Sequence, residues 1–579
     1  MQKIILITSK YEDKKNSKIK KKIYAGNWCI KNPQNDIIYD WNLNNNFEKN
    51  YDYLNKIMQK FGKILSKKLN QLHKIDKDPR FWEILLFPWL TYYIPAQFYR
   101  WKIVKDIVAK NKNLYVYKPN LIKYPPVTDS LEFYEGITNS DYLNEVFFGR
   151  IIDFLIKKKK ISKIFLKDKT KIPNDIKKYS IPRKSNNIKE KIKKISSFII
   201  SKIYKEKKIL ICEGLISSQD LIELNLKLNQ APIFSKRVFN KQYYLSTISN
   251  LKTRKDLRKK ISLDEKKFDD FENFLSIYIM EDMPKCLLEG FGPLNKMVNK
   301  INLYPKYAVV FHDHYHNELF KFWYANNLKS IKLIICAHGA AMQPKPAHFG
   351  IESKIANKKV SYVNDDECPI RTRVKLPFPQ LIRYKRKNPK FLIFSTYTPE
   401  YYPCRYGVSN NTFATNRNYE DLLLLKKYLD KKIFSQLKIS NKLSNSKSIK
   451  NLNNLFYGKK NINNIPFSKQ INSAKLMICT YPQTTFLESV ASGPTLALFN
   501  YKDWIFTKNN MKIYDKLIYN NIFFESAEEL SFFINKKWEN IDIWWSEIKK
   551  KKIIDEYLSL FQEDPNYLKE WKNFLRTLV

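Results

Sequence analysis

Two short stretches of this chain place residues capable of chemistry at the ends of apolar runs. The first is Leu476 to Asn500, LMICTYPQTTFLESVASGPTLALFN. Leu476 to Cys479 has the character of a strand buried in a parallel sheet, Thr480 to Gln483 of a polar turn, and Thr484 to Ser492 of a short helix closed by Gly493 and Pro494. In such a unit the first backbone N–H groups of the helix lack partners within it and point beyond the carboxyl end of the strand, which suits a phosphate. Thr480, Gln483, Thr484 and Thr485 would add neutral donors, and Glu488, one turn on, could accept from a sugar hydroxyl. The competing reading is a capping box, in which Thr485 and Glu488 satisfy only the helix start.

The second stretch is Ile331 to Ala337, IKLIICA, which delivers His338-Gly339-Ala340-Ala341 at its end. Five of the six histidines lie between His312 and His348, a concentration that composition alone does not explain. His338 would accept the proton of an attacking hydroxyl, a task suited to an imidazole with an ordinary pKa of about 6.5. Its plain alternative is a buried histidine bonded to backbone. A rival chemistry uses His312, His314 and His316, which alternate. On an extended segment all three would share a face and could hold zinc in a metal-dependent hydrolase, with only Asp313 and Glu318 as nearby carboxylates.

Those residues need a scaffold. With 579 residues, 44% hydrophobic and 15% aromatic, the chain is long enough for several domains and large cores. The net charge of +48 comes almost wholly from Lys spread along the length, unlike the clustered Arg and aromatics of nucleic-acid surfaces. A nucleic-acid partner is therefore not expected, although anionic lipid or phosphorylated substrates would be favoured. Seven cysteines without paired spacing point to a reduced, cytoplasmic setting. The start, MQKIILITSK, reads as a first strand and not as a signal peptide. Ile84 to Tyr99, interrupted by Pro88 and Pro95, is short of the ~20 residues a membrane span needs. It reads as a buried helix pair, with its aromatic and basic flanks leaving a peripheral contact at the inner membrane face open.

Strand-like runs at Ile4 to Thr8, Leu114 to Tyr117, Ile209 to Cys212 and Tyr307 to Phe311 alternate with helical patterns. A long helical insertion is expected over about residues 45–112, and a Lys-rich excursion, probing solvent, over Ile156 to Lys194. The expected organisation is an acceptor-side domain over 1–376, a linker over 377–389, a donor-nucleotide domain over 390–520 and carboxyl-terminal helices over 521–579. This is an α/β fold of two doubly wound, Rossmann-like domains across a cleft, with ligands beyond the strand carboxyl ends. The Phe391 strand, FLIFST, would bring Thr396 and Arg405 to the donor phosphates, where Arg offers a two-pronged contact. No nucleophile elbow, Walker loop or GxGxxG is present, so acyl transfer, NTP hydrolysis and hydride transfer are unsupported.

Gly26-Asn27-Trp28-Cys29, Phe87-Pro88-Trp89-Leu90, Asp141-Tyr-Leu-Asn144, Glu318-Leu-Phe-Lys321, His338-Gly339 and Thr480-Tyr481 with Thr484-Thr485-Phe486-Leu487-Glu488 together carry a resemblance. The chain resembles a bacterial family of transferases of surface carbohydrate biosynthesis, which is GT-B-like and distantly similar to polymerases using CDP-activated polyols. The resemblance implies a metal-independent, cofactor-free transferase taking a nucleotide-activated sugar or polyol donor and a glycan or lipid-linked acceptor. It implies that His338 acts near the acceptor and that Thr484, Thr485 and Glu488 hold donor phosphate and ribose. Thr8, Gly26, His314, Glu318, Lys321 and Gly339 are further cleft candidates. Departures are visible: the family's Gln-His-Gly-Gly, with a Tyr-Gly soon after, is Ala337-His338-Gly339-Ala340 here with Phe349-Gly350 further downstream, and its Trp-rich strand before the linker is replaced by the charged Val360 to Arg373. Against the enzyme stands a non-catalytic protein that docks on anionic polymer or membrane through its charge.

Overall fold

The computed structural model describes residues 3–9, 12, 21–29, 37–38, 47–117, 126–161, 163–165, 208–239, 251–262, 267–339, 350–363, 373–379, 383–396, 412–441, 462–499, 508–561 and 566–578. Most of the Lys-rich excursion and the Tyr397 to Tyr406 loop, with Arg405, lie outside them.

Apolar runs of four to six residues form parallel strands, as their near-continuous burial requires. Three five-stranded sheets result among the described residues. The first has β1 (Ile4–Ile7), β2 (Lys21–Tyr24), β3 (Ile37–Ile38), β4 (Leu114–Tyr117) and β5 (Lys163–Phe165), in the order β3-β2-β1-β4-β5. The second has β6 (Ile209–Ile211), β7 (Tyr307–Val310), β8 (Lys332–Cys336), β9 (Lys358–Ser361) and β10 (Arg373–Lys375), in the order β10-β9-β8-β7-β6. The third has β11 (Phe391–Thr396), β12 (Leu437–Asn441), β13 (Ala474–Cys479), β14 (Thr495–Leu498) and β15 (Phe523–Phe524), in the order β12-β11-β13-β14-β15. Every neighbouring pair in the registers runs parallel. The α/β class with parallel sheets is thus as expected, and the region before residue 376 holds two sheets in place of one.

The second sheet is the partition between two cores. Leu210, Ala308, Val310, Leu333 and Ile335 join the core shared with the first sheet and its helices. The alternate residues Ile209, Ile211, Val309, Ile334 and Cys336 join the core shared with the third sheet and the carboxyl-terminal helices. The helices Phe47–His73 and Pro79–Lys110 lie in the first of these cores. Ile84 to Tyr99 is one continuous stretch of the latter, correcting the expected helix pair. The helix starts at Asp78, whose carboxylate accepts from Arg80 N at 2.7 Å, with Pro79 at its first position. It runs through Pro88 and Pro95 because residues on every side of it are buried, so packing outweighs the lost backbone bonds. No helix among the described residues is long and apolar enough to cross a membrane.

Hydrogen bonds hold the last helix to the second sheet's side and the expected linker to the third sheet. The last helix, Tyr567–Arg576, returns to the second sheet's side: Tyr567 Oη donates to Asp220, and Trp571 Nε1 donates to Pro377 O at 3.1 Å. Within the expected linker, Arg386 donates to the carbonyls of Ala474, Lys475 and Pro494 at 3.0, 3.1 and 2.9 Å. Tyr384 N donates to Ser492 Oγ at 3.0 Å. The linker is therefore docked on the third sheet.

Candidate functional site

β7 and β8 are parallel neighbours, with Val310 opposite Ile335. Each leads within three residues to a histidine, His312 and His338. The two imidazoles lie against each other, one beyond each of these neighbouring strands. His338 is exposed and His312 half-buried. Ala337 N donates to Val360 O at 2.9 Å, which extends the ladder to the residue before His338. His338 is thus presented at the rim and not sunk in the core.

In the third sheet β11 and β13 pair through Ser395 and Cys479, and Thr480 N then donates to Ser395 O at 3.1 Å. The chain turns and enters the helix Thr484–Ser492. Its cap is Gln483, whose side chain makes no capping bond. The capping box does not form: Thr485 lies inside the helix, buried, with its hydroxyl 2.7 Å from Tyr481 Oη. Thr480 Oγ1, Gln483 Nε2 and Ser395 Oγ are buried and have no hydrogen-bond partner among the described residues. Such groups are costly to leave unmade, by about 1–3 kcal/mol each. The helix start accordingly presents amides and unsatisfied neutral donors together, an arrangement that accepts an anion.

These two strand ends face each other. A Cβ added to Gly339 would lie 2.6 Å from Thr484 Oγ1, and Gly339 itself has φ +154°. The loop after β8 thus touches the helix start after β13, which puts His338 one residue from the anion-accepting turn. Thr396, at the end of β11, is buried and its Oγ1 accepts from Asn418 Nδ2 at 2.7 Å. Glu488, half-buried, lies by Tyr384, whose hydroxyl is pushed up by burial and then by the Glu488 charge. Asn418 and Ser395 escaped the sequence reading, and both sit on or against the FLIFST strand end that it singled out.

A family model described as LIC12162 family transferase matches residues 4–575. The chain belongs to the LIC12162 family of transferases. No curated protein matches it in sequence. Among solved structures, the wall teichoic acid polymerase TagF is similar at 10% identity and a TM-score of 0.29, over 49% of this chain and 84% of that one. A UDP-forming α,α-trehalose-phosphate synthase from Burkholderia xenovorans is similar at 9% identity and a TM-score of 0.33, over 64% of this chain and 99% of that one. At these values neither bears on the reaction.

Other candidates in this LIC12162 family transferase are placed elsewhere. Glu318 and Lys321 are fully buried, 2.8 Å apart, and both bond Ser130, through its N at 3.2 Å and its Oγ at 3.2 Å. They pin the helix Ser130–Asn139 to the helix Glu318–Asn326, and neither side chain is exposed. Thr8 follows β1, and Gly26 follows β2 beside it. Thr8 N and Oγ1 both donate to Glu12 Oε2, at 2.7 and 2.9 Å, while Trp28 packs where a Cβ on Gly26 would stand.

The alternating histidines do not share a face. Asp313–His316 is a helical turn, so the two-residue repeat of a strand does not apply. His314 is buried with Nε2 3.5 Å from Glu352 Oε1, and His316 stacks on Tyr92 at 5.9 Å and 7°. No cluster of three or more His, Cys, Asp or Glu suited to a metal occurs among the described residues. The hydrolase alternative therefore loses its ligand set.

Proposed function

We propose that this transferase moves a sugar or polyol phosphate from a nucleotide-activated donor to a cell-surface glycan precursor, in a GT-B-like groove between the second and third sheets. The reading rests on one observation: the Gly339 loop and the Thr484 helix start meet, beside the buried, unsatisfied Thr480 Oγ1 and Gln483 Nε2. The helix start with Thr480, Gln483 and Thr484 would hold the donor diphosphate, Thr485 contributing its backbone N–H alone because its hydroxyl is engaged by Tyr481, and Glu488 the ribose. Thr396 would shape the floor of that subsite through its bond to Asn418. Arg405, outside the described residues, would add a two-pronged cation.

His338 takes the proton as the acceptor oxygen forms its bond to the donor's sugar carbon or phosphorus. The bond to the leaving nucleotide phosphate breaks with its electron pair going to that phosphate, where the helix dipole and nearby donors stabilise the charge. No step of this reading is routed through a metal ion.

Thermal-shift measurements with CDP-, CMP-, UDP-, GDP- and dTDP-linked compounds test it. One nucleotide class should raise the melting temperature, since a ligand at a hundred times its Kd stabilises by about 2.7 kcal/mol. His338→Ala should keep that shift and lose about 10²- to 10⁴-fold in turnover. Absence of any shift in folded protein would overturn the reading. A His338→Ala variant with full turnover would remove the base assignment.

A further inference from the structure

We infer that His312 is the second imidazole of a proton-sharing pair with His338, an inference that rests on the group-transfer reading above. His312 entered the sequence reading only as a metal ligand, on the premise of an extended segment. The helical turn that removes that premise also turns His314 and His316 away, His314 onto Glu352 and His316 onto Tyr92. His312 is left at the end of β7, with its ring against that of His338. The backbone there is engaged as a cap: Tyr315 N donates to His312 O at 2.9 Å, so the position of His312 is set by the turn it opens.

Two imidazoles in contact behave as one proton acceptor with two sites. A first proton can reside on either ring, and a second is opposed by the charge of the first. This matters because His338 is exposed and followed by glycine, so a neighbour whose own position is set by a turn limits the places its ring can occupy. His312 supplies both a fixed neighbour and a second place for the proton.

The step balances as follows. The acceptor O–H bond breaks and its proton goes to the pair, which passes from neutral to singly protonated. The acceptor oxygen bonds to the donor carbon or phosphorus, and the nucleotide phosphate leaves with the electron pair of the broken bond. After product departs, the pair returns the proton to water. His338 touches the acceptor and is the catalytic residue; His312 acts through it and is a positioning residue.

The test uses the full-length protein with His312→Phe, which keeps a ring but carries no proton, and His312→Gln, which keeps hydrogen bonding without an imidazole. Both are expected to lose about 10- to 100-fold in kcat, while donor KM and the donor-induced thermal shift stay within about twofold. Free imidazole is expected to raise the kcat of His312→Ala several-fold and to leave His312→Phe unchanged. The inference is overturned if His312→Phe keeps the wild-type kcat, since the ring would then only pack. It is equally overturned if the loss appears in donor KM with kcat preserved, since His312 would then serve binding. Full turnover in His338→Ala would instead strike the base assignment on which the pair stands, and the two failures are told apart by which histidine tolerates replacement.

Discussion

The carboxyl ends of β1 and β13 use similar residues and leave them in opposite states. After β1, Thr8 gives both its N–H and its hydroxyl to Glu12, Trp28 Nε1 donates to Thr8 O at 3.0 Å, and Cys29 Sγ donates to Ile7 O at 3.4 Å. Glu12 stands where a bound anion would, and the strand end is closed by its own chain. After β13, Thr480 Oγ1 and Gln483 Nε2 are buried without a hydrogen-bond partner among the described residues, as is Ser395 Oγ on the neighbouring strand. A fold that tolerates several such groups in one turn stores a cost that an incoming acceptor can relieve. The type of residue at a parallel strand end therefore says less than whether the chain supplies the acceptor itself.

Glycine substitutions should separate the two regions most strongly. A Cβ on Gly26 would stand 2.2 Å from the Trp28 ring, two residues on, whereas one on Gly339 would stand 2.6 Å from Thr484, which follows a strand of the third sheet. Gly339→Ala is expected to lower turnover by about 10²-fold, because an offset near 1 Å between reacting groups is enough for that loss, and to lower the melting temperature as well, since an L side chain is strained at φ +154°. Gly26→Ala is expected to cost about 1–3 kcal/mol of stability through overpacking and to leave the donor-induced shift unchanged. Denaturant unfolding alongside steady-state turnover checks both. A Gly339→Ala enzyme with full turnover would show that the contact has no bearing on the reaction.

Much of this contrast could be read from sequence, and the missing part has a physical cause. Short apolar runs located β1, β7, β8, β11 and β13, and the Gly-Asn-Trp-Cys motif located the 3₁₀ turn Asn27–Cys29. His338 and the Thr480 to Glu488 turn were singled out because strand ends in parallel sheets are where ligands sit. What could not be read was satisfaction: Thr8 and Thr480 look alike until Glu12 is seen to fold back on one of them. The metal reading of His312 supposes an extended segment because His-x-His-x-His has a period of two, yet Asn317 caps the following helix by accepting from Phe320 N at 3.3 Å, and the chain coils before it. The edge strand β12 is not among the strand-like runs read from the sequence, since an edge strand need bury only one face.

Removing one hydroxyl from each strand end tests the satisfaction argument directly. Thr8→Val deletes the bond to a buried carboxylate and is expected to cost about 1.5–3 kcal/mol, the range for hydrogen bonds to charged groups. Thr480→Val deletes a hydroxyl with no such bond, so stability should be unchanged or slightly higher, while affinity for the nucleotide donor should fall about 5- to 10-fold. Urea midpoints and a donor titration read the two effects. Equal destabilisation by both substitutions would mean that the two strand ends are alike after all.

The smallest expected effect contrasts two histidines of one turn. His312 meets His338 at the rim, whereas His314, two residues on, faces a carboxylate that the chain fully engages. Glu352 lies 3.0 Å from Lys359 Nζ, accepts from Tyr315 Oη at 3.1 Å and sits 3.5 Å from His314 Nε2. Burial alone would raise the Glu352 carboxyl, but Lys359 and then His314 outweigh it and hold the carboxyl well below the usual range. A carboxyl depressed in the folded state contributes stability that is present above its unfolded value, near 4.3, and is lost as pH falls through the folded value. Lys359→Met removes the strongest of the depressing charges, so the folded value rises towards the unfolded one, the stability lost below the unfolded value becomes smaller, and the lower end of that loss moves to higher pH. Urea midpoints measured between about pH 3 and 6 should show that displacement, with the donor-induced thermal shift at neutral pH unchanged. An acid limb identical to wild type would mean that Glu352 is held by its hydrogen bonds and not by charge, and the engaged half of the turn would then owe its closure to geometry, as Glu12 does at β1.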